Sequence, residues 1–194
     1  MRPLTGPTNY NSHMRRLPLL AVLCLAAPLG ADVTHCGCDT AKPETLEARE
    51  CALCREAEKQ PAEPLVFFLK DTNPRKPNRL LALPRFHGKG QDSLADMTPQ
   101  QRLLLWTAAI EKGQSLWGDE WGLAVNGEMA RTQCHAHIHI GKLMRGIETA
   151  RFVVVDGPAQ IPVPEGGTGL WVHPEGAKLH VHLDEQITET VLLR

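Results

Sequence analysis

His135, His137 and His139 alternate with Ala136, Ile138 and Ile140 in the segment Cys134-His-Ala-His-Ile-His-Ile140. An extended chain repeats its side-chain direction every two residues, so this spacing predicts three imidazoles on one face of a strand over an apolar opposite face. Such a row could ligate a metal. Alternatively, its central member could attack phosphorus while its neighbours fix the tautomer and donate protons. A surface strand with three outward histidines is the remaining reading, and three in a row count against it. Cys51-Ala-Leu-Cys54 has the gap of a zinc pair and needs two further ligands to close a tetrahedron, for which His87 and His135 are the natural completions. A disulfide, either Cys51 to Cys54 or a link to Cys36 or Cys38, is the competing use of those thiols. His180 and His182 alternate again in Lys178-Leu-His-Val-His182 and read as surface strand histidines, with His173 in a loop.

These residues need elements to hold them. Leu65–Leu69 and Arg79–Leu83 read as a strand pair joined by the turn chemistry of Asp71-Thr-Asn-Pro-Arg-Lys-Pro-Asn78. Thr98-Pro-Gln-Gln101 combines an N-cap, a first-turn proline and a capping-box glutamine, so a helix is expected from Pro99 to about Leu116. Trp121–Asn126 and Cys134–Ile140 read as strands around a polar connection that begins Asn126-Gly127. Three more strands are expected at Arg151–Val155, Gly169–Val172 and Lys178–Leu183, and a short helix from Asp184 to Leu193. A helix-compatible stretch from Glu44 to Gln60 belongs to a Cys-bearing N-terminal arm. Runs of strands with one or two helices give an α+β class, an antiparallel sheet with one main helix packed on it. Trp106 and Trp117 lie near one helix face and are expected in the core, whereas Trp121 and Trp171 suit either packing or a platform for a base or a lipid.

The chain has 194 residues and a formal net charge of −1. That length suits one core, and the charge balance argues against a nucleic-acid partner, which would require a clustered basic excess. Arg2, Arg15 and Arg16 precede an apolar run from Leu17 to Gly30, a pattern that reads as a secretory signal shorter than a membrane span. The expected organisation is therefore a signal or anchor at 1–31, the Cys-bearing arm at 32–64, a catalytic core at 65–150 and C-terminal strands at 151–194. Export would place the cysteines in an oxidising compartment.

The segment from Asp71 through Pro74, Pro77 and Pro84 to Phe86-His87 resembles the histidine-triad family, as do Ser93–Gln100, Asn126-Gly127 and the alternating histidines. The resemblance spans roughly Cys51 to Lys142. Arg131-Thr-Gln-Cys-His-Ala-His-Ile-His-Ile140 is similar to the CDP-diacylglycerol pyrophosphatase branch, as are Phe68-Leu-Lys-Asp71 and the Pro162-x-Pro-x-Gly-Gly stretch. The chain departs from the common pattern at Arg131, which stands where a glutamine is usual.

This resemblance implies a fold and a set of roles. The fold would be histidine-triad-like. His137 would be the nucleophile, with His139 orienting it and His135 completing the catalytic row. Asp71 would accept the ribose hydroxyls, and Asn126, Thr132 and Gln133 would bind the substrate on its phosphate side. Cys51, Cys54, His87 and His135 would hold a structural zinc, while the chemistry itself would need no cofactor. The expected activity is hydrolysis of a nucleotide phosphoanhydride, foremost CDP-diacylglycerol to CMP and phosphatidate, by an exported enzyme touching the membrane peripherally. Pairing into a homodimer would follow the habit of many family members. Two rivals stay open: a phosphoramidase or dinucleotide hydrolase for soluble substrates, and an exported zinc- or copper-binding protein.

Overall fold

The computed structural model describes Val33, residues 36–86 and residues 93–194. The expected signal at 1–31 and His87 lie outside the described residues.

Two strands, β1 (Val66–Lys70) and β2 (Leu80–Pro84), pair antiparallel across the expected turn. The carboxylate of Asp71 accepts from the Asn73 amide at 2.9 Å, and the Asn73 side chain accepts from the Arg75 amide at 3.0 Å. Two successive side-chain-to-backbone turns of this kind explain why a run with two prolines turns sharply here. Helix α2 (Pro99–Trp117) begins as the sequence predicts, with Thr98 accepting from the Gln101 amide and Gln101 accepting from the Thr98 amide. It ends at Gly118, whose φ of 56° is open to glycine at little cost.

Five further strands complete the sheet: β3 (Trp121–Val125), β4 (Ile138–Lys142), β5 (Phe152–Val155), β6 (Gly169–Glu175) and β7 (Lys178–Glu185). All seven pair antiparallel in the order β1-β2-β4-β3-β6-β7-β5, which makes the fold α+β. Leu105, Trp106 and Ala109 of α2 pack on Leu123, Ile138, Ile140 and Val172, which form the core face of the sheet. The cross-strand partners on the opposite face form one row: Leu69, Leu81, His139, Ala124, Trp171, His182 and Phe152. That row crosses every strand, and two of its members are histidines, His139 and His182.

The row is covered in two places by chain outside the sheet. On the β1–β2 side lies α1 (Ala52–Glu58), where Ala57 packs against Phe67, Leu81 and Leu83. In the middle, Val191 and Leu192 pack on Ala124 and Trp171. The expected long helix near 44–60 is shorter than its pattern suggests, since two 3₁₀ turns at Pro43–Glu47 and Arg49–Cys51 precede α1. The expected C-terminal helix from Asp184 is absent; β7 continues to Glu185 and a single 3₁₀ turn follows at Glu189–Val191. Tertiary partners override helix propensity there. Leu143 bridges Leu192, and the buried Arg79 guanidinium donates to the carbonyls of Leu192 and Leu193. Trp121 and Trp171 are both buried, which removes the platform reading.

Gly169 opens β6 at a register shift, pressed against the Asn126-Gly127 backbone. A methyl group there would meet the Val125 carbonyl oxygen at 2.3 Å and the Gly127 nitrogen at 2.6 Å, atoms that cannot rotate away. Gly169→Ala is therefore expected to lower stability by about 2 kcal/mol or more, in the overpacking range. Thermal unfolding of the variant checks this; an unchanged Tm would contradict the close approach.

Candidate active site

A cavity of about 500 Å³ opens on the β1–β2–β4 part of this face, a volume within the usual range for a small-ligand site. His137 and His139 form its floor, Asp71 to Asn73 and Lys76 one rim, Ala130 to Gln133 another, and α1 contributes Leu53, Arg55 and Glu56. Arg55, Lys70, Lys76 and Arg131 face Glu56, Asp71 and Glu189 across that lining, so it is strongly charged with one more cation than carboxylate.

His137 stands just before β4, whose alternation sends Ala136, Ile138 and Ile140 into the core on the helix side. Its Nδ1 lies 2.8 Å from the carbonyl oxygen of His135. A carbonyl only accepts, so Nδ1 carries the proton and Nε2 keeps its lone pair. Burial pushes the His137 pKa down to about 4, a shift to which Arg131 adds and against which the backbone hydrogen bond works. The ring is thus neutral with one nitrogen available as a base or a nucleophile.

His139 is the next ring along, 4.9 Å away and edge-on at 74°. Its Nδ1 lies 3.4 Å from Glu189 Oε2, and its Nε2 is buried with no hydrogen-bond partner among the described residues. Burial holds its pKa well below the ordinary value, reinforced by His137, Lys76 and Arg79. Glu189 is a hub, since the same oxygen takes Lys76 Nζ at 2.5 Å and Arg79 at 3.2 Å. The C-terminal turn therefore places a carboxylate beside the histidines and ties it down with two cations. Nothing in the local sequence pointed to Glu189; it lies fifty residues beyond His139, and its only signal was an acidic residue near a chain end.

The expected substrate residues divide. Asp71 and Thr132 line the cavity, with Asp71 grouped beside His139 and Glu189. Asn126 also lines it, but its Oδ1 is taken by the Thr188 amide, the Thr188 hydroxyl and the Glu189 amide at 2.9, 3.2 and 3.1 Å. Its side-chain carbonyl thus positions the Glu189 turn, leaving only its NH₂ for a ligand. Gln133 also lines the cavity and is corrected in part: Oε1 accepts from the Leu53 amide at 3.1 Å and Nε2 donates to the Arg49 carbonyl at 3.0 Å, so the side chain anchors the start of α1 and keeps one Nε2 hydrogen for a ligand.

His135 is corrected as well. It is fully buried, and its Nε2 donates to the Pro84 carbonyl at 2.8 Å, so it pins the segment before β4 to the end of β2 and stays outside the cavity lining. The expected zinc set also fails a fit test. Cys51 is bonded to Cys38 and Cys36 to Cys134, so Cys51 has no thiolate to offer, while Cys54 lies outside both disulfides. Two groups with the makings of a metal site do exist among the described residues: Asp71, His139 and Glu189 in the cavity, and Glu148, His173, His180 and His182 on the far strands. His173 and His182 are buried on β6 and β7, which overturns the reading of His182 as a surface residue and of His173 as a loop residue; His180 is half-buried on β7.

The depressed His137 value has a stability consequence. An unfolded histidine titrates near 6.5, so below that pH the unfolded chain takes up the proton more readily than the folded one. The contribution is therefore fully present above about pH 6.5 and is lost as pH falls towards about 4, where it amounts to roughly 3 kcal/mol. His137→Gln is expected to flatten that part of the stability-against-pH curve. Denaturant melts of both proteins between pH 4 and 7 test it, and parallel curves would show that His137 titrates normally.

Compared with known proteins, the chain matches no protein-family model and no curated protein.

Proposed function

We propose that the cavity is the active site of an exported histidine-nucleophile hydrolase with a histidine-triad-like fold and a Cys-bearing N-terminal arm, acting on a nucleotide phosphoanhydride. The observation that carries this reading is the tautomer of His137: Nδ1–H held by the His135 carbonyl, Nε2 unprotonated, on the floor of a cavity lined by charged side chains, Arg131 and Lys76 among them.

In the proposed reaction, His137 Nε2 attacks the nucleotide's phosphorus. The bond from that phosphorus to the bridging oxygen breaks, and the second phosphate group departs with the electron pair. Water then attacks the phosphorus of the nucleotidyl-histidine, the P–N bond breaks, and the nucleoside monophosphate leaves. When phosphorus joins Nε2, the imidazole becomes cationic while Nδ1–H stays on the His135 carbonyl, so the charge develops against a fixed acceptor. Arg131, Lys76 and Arg55 supply charge to the departing and transferred phosphates, and Asp71 offers a carboxylate to sugar hydroxyls. CDP-diacylglycerol, giving CMP and phosphatidate, is the leading substrate. Two buried disulfides also suit an exported chain.

The test is release of CMP from CDP-diacylglycerol in mixed micelles by the purified protein. Cleavage of CDP-diacylglycerol supports the lipid reading. Turnover of adenosine phosphoramidates or dinucleotides alone would move the substrate to the soluble class, and no turnover of any nucleotide would sink the hydrolase reading.

A further inference from the structure

A second cluster occupies the same face of the sheet three strand spacings from His139, about 14 Å away at the usual interstrand distance. His173 of β6 lies directly across from His180 of β7, and His182 lies two residues further along the same strand. Glu148, from the segment that crosses over these strands, completes the group; one ligand atom from each residue falls within 4.8 Å of all the others.

We infer that Glu148, His173, His180 and His182 form a binding site for one divalent transition-metal cation of the zinc class, separate from the candidate active site. The inference does not depend on the hydrolase reading.

Three kinds of observation support it. The first is spacing. His173 Nε2 and His182 Nε2 are 3.3 Å apart, His182 Nε2 is 3.3 Å from Glu148 Oε2, and His173 Nε2 is 3.6 Å from Glu148 Oε1. A tetrahedral zinc with bonds of about 2.0–2.1 Å has donor-to-donor edges of about 3.3–3.4 Å. The two ring nitrogens are one such edge apart, each is near that distance from one of the two Glu148 oxygens, and His180 is within reach of the fourth corner.

The second is the outer shell. His173 Nδ1 lies 3.1 Å from the Pro174 carbonyl, which can only accept, so Nε2 of the neutral ring is bare and aimed at the centre. His182 Nδ1 lies 2.7 Å from the Thr149 hydroxyl, and the ring is stacked on Trp171 at 3.6 Å and 3°. Ligating histidines characteristically have their other nitrogen held in this way, and the Trp171 stack leaves His182 little freedom to turn. Without a metal, a single proton on His182 Nε2 can serve the bare His173 nitrogen and the Glu148 carboxylate. A cation at that point satisfies all of them together.

The third is an orphan. His180 Nδ1 is buried without a hydrogen-bond partner among the described residues, a costly condition for a ring nitrogen, and Phe152 stacks on this ring at 4.9 Å and 16°. Ligation through Nδ1 would remove the deficit. Three imidazoles and one carboxylate fill four positions, so the cation would tie the 148–149 segment to β6 and β7 with no position left open for activating water.

The experiment is metal loading of the full chain, purified without chelator, dialysed against Zn²⁺ and in parallel against Co²⁺, with metal per chain measured and the visible spectrum of the Co²⁺ form recorded. One equivalent is expected, with the intense bands of four-coordinate Co²⁺. Glu148→Gln and His182→Ala should lose the bands and weaken binding at least tenfold. Thr149→Val should weaken it by roughly tenfold, as loss of an outer-shell partner does. Glu148 is exposed, so its variant tests the site even if His182→Ala fails to fold. Folded wild-type protein that retains no metal would overturn the inference. So would metal whose binding survives in Glu148→Gln and is lost in His139→Ala, which would assign it to the cavity.

Discussion

Replacing His137 with alanine is expected to reduce nucleotide hydrolysis by about 10⁴-fold or more, the scale on which loss of a covalent nucleophile acts. The reason is geometric: His137 has its proton held away by a carbonyl at 2.8 Å and its other nitrogen unprotonated, whereas His139 Nδ1 faces a carboxylate and His135, outside the cavity lining, is turned to Pro84. Brief incubation of the wild type with substrate labelled in the nucleotide phosphate should leave label on the protein that is labile to acid and stable to base, as a phosphoramidate is. His137→Ala should carry none. Binding of product nucleotide should change far less than turnover, because the cations of the rim remain. A variant that retained more than a tenth of the activity, or labelled wild type and variant alike, would move the nucleophile elsewhere. The acid limb of kcat/KM should fall near pH 4 instead of 6.5, since burial holds the neutral ring in that range.

Removing the Cys36–Cys134 disulfide should be the most destabilising single change among the cysteines. It closes a loop of 98 residues, and loop-closure entropy for that length is worth about 4–5 kcal/mol. The Cys38–Cys51 bond spans 13 residues and is worth about 3 kcal/mol on the same basis. The longer bond also has a specific local task. Cys134 precedes His135 and His137, and its amide donates to the Glu50 carbonyl at 2.8 Å, so the bond clamps the residues before α1 onto the segment that carries His137. Cys36→Ala with Cys134→Ala should therefore lower stability by that amount and also raise KM, because the α1 wall of the cavity loosens. Denaturant melts and steady-state kinetics of the double variant check both parts. A loss of stability with an unchanged KM would show that α1 is held by Gln133 and its own packing alone.

Much of the fold was readable where local chemistry acts alone. The Thr98-Pro99-Gln101 cap set the start of α2, and the alternation around His137 and His139 placed two imidazoles on one face and three apolar side chains on the other. The strands appeared near their expected positions because short apolar runs bounded by turn residues have few other uses. Asp71, Thr132, His137 and His139 line one cavity.

What the sequence could not supply depends on partners far along the chain. Cysteine spacing does not specify connectivity, so a pair with zinc spacing could be divided between a disulfide to Cys38 and a buried Cys54. Gln133 and Asn126 have amides suited to a phosphate, but the residues that occupy their hydrogen bonds, Leu53 and Arg49 in one case and Thr188 and Glu189 in the other, lie 60 or more residues away. Glu189 entered the site because Arg79 and Lys76 hold a turn where helix propensity alone favoured a helix. His173, His180 and His182 looked like outward strand residues because a two-residue period says which residues share a face and nothing about what covers that face. The sequence by itself determined the periodicities, the caps and the chemical types available. Only the tertiary structure decided which polar groups are already satisfied and which still have a lone pair to offer, because a hydrogen bond between distant residues is a property of their packing and leaves no trace in local pattern.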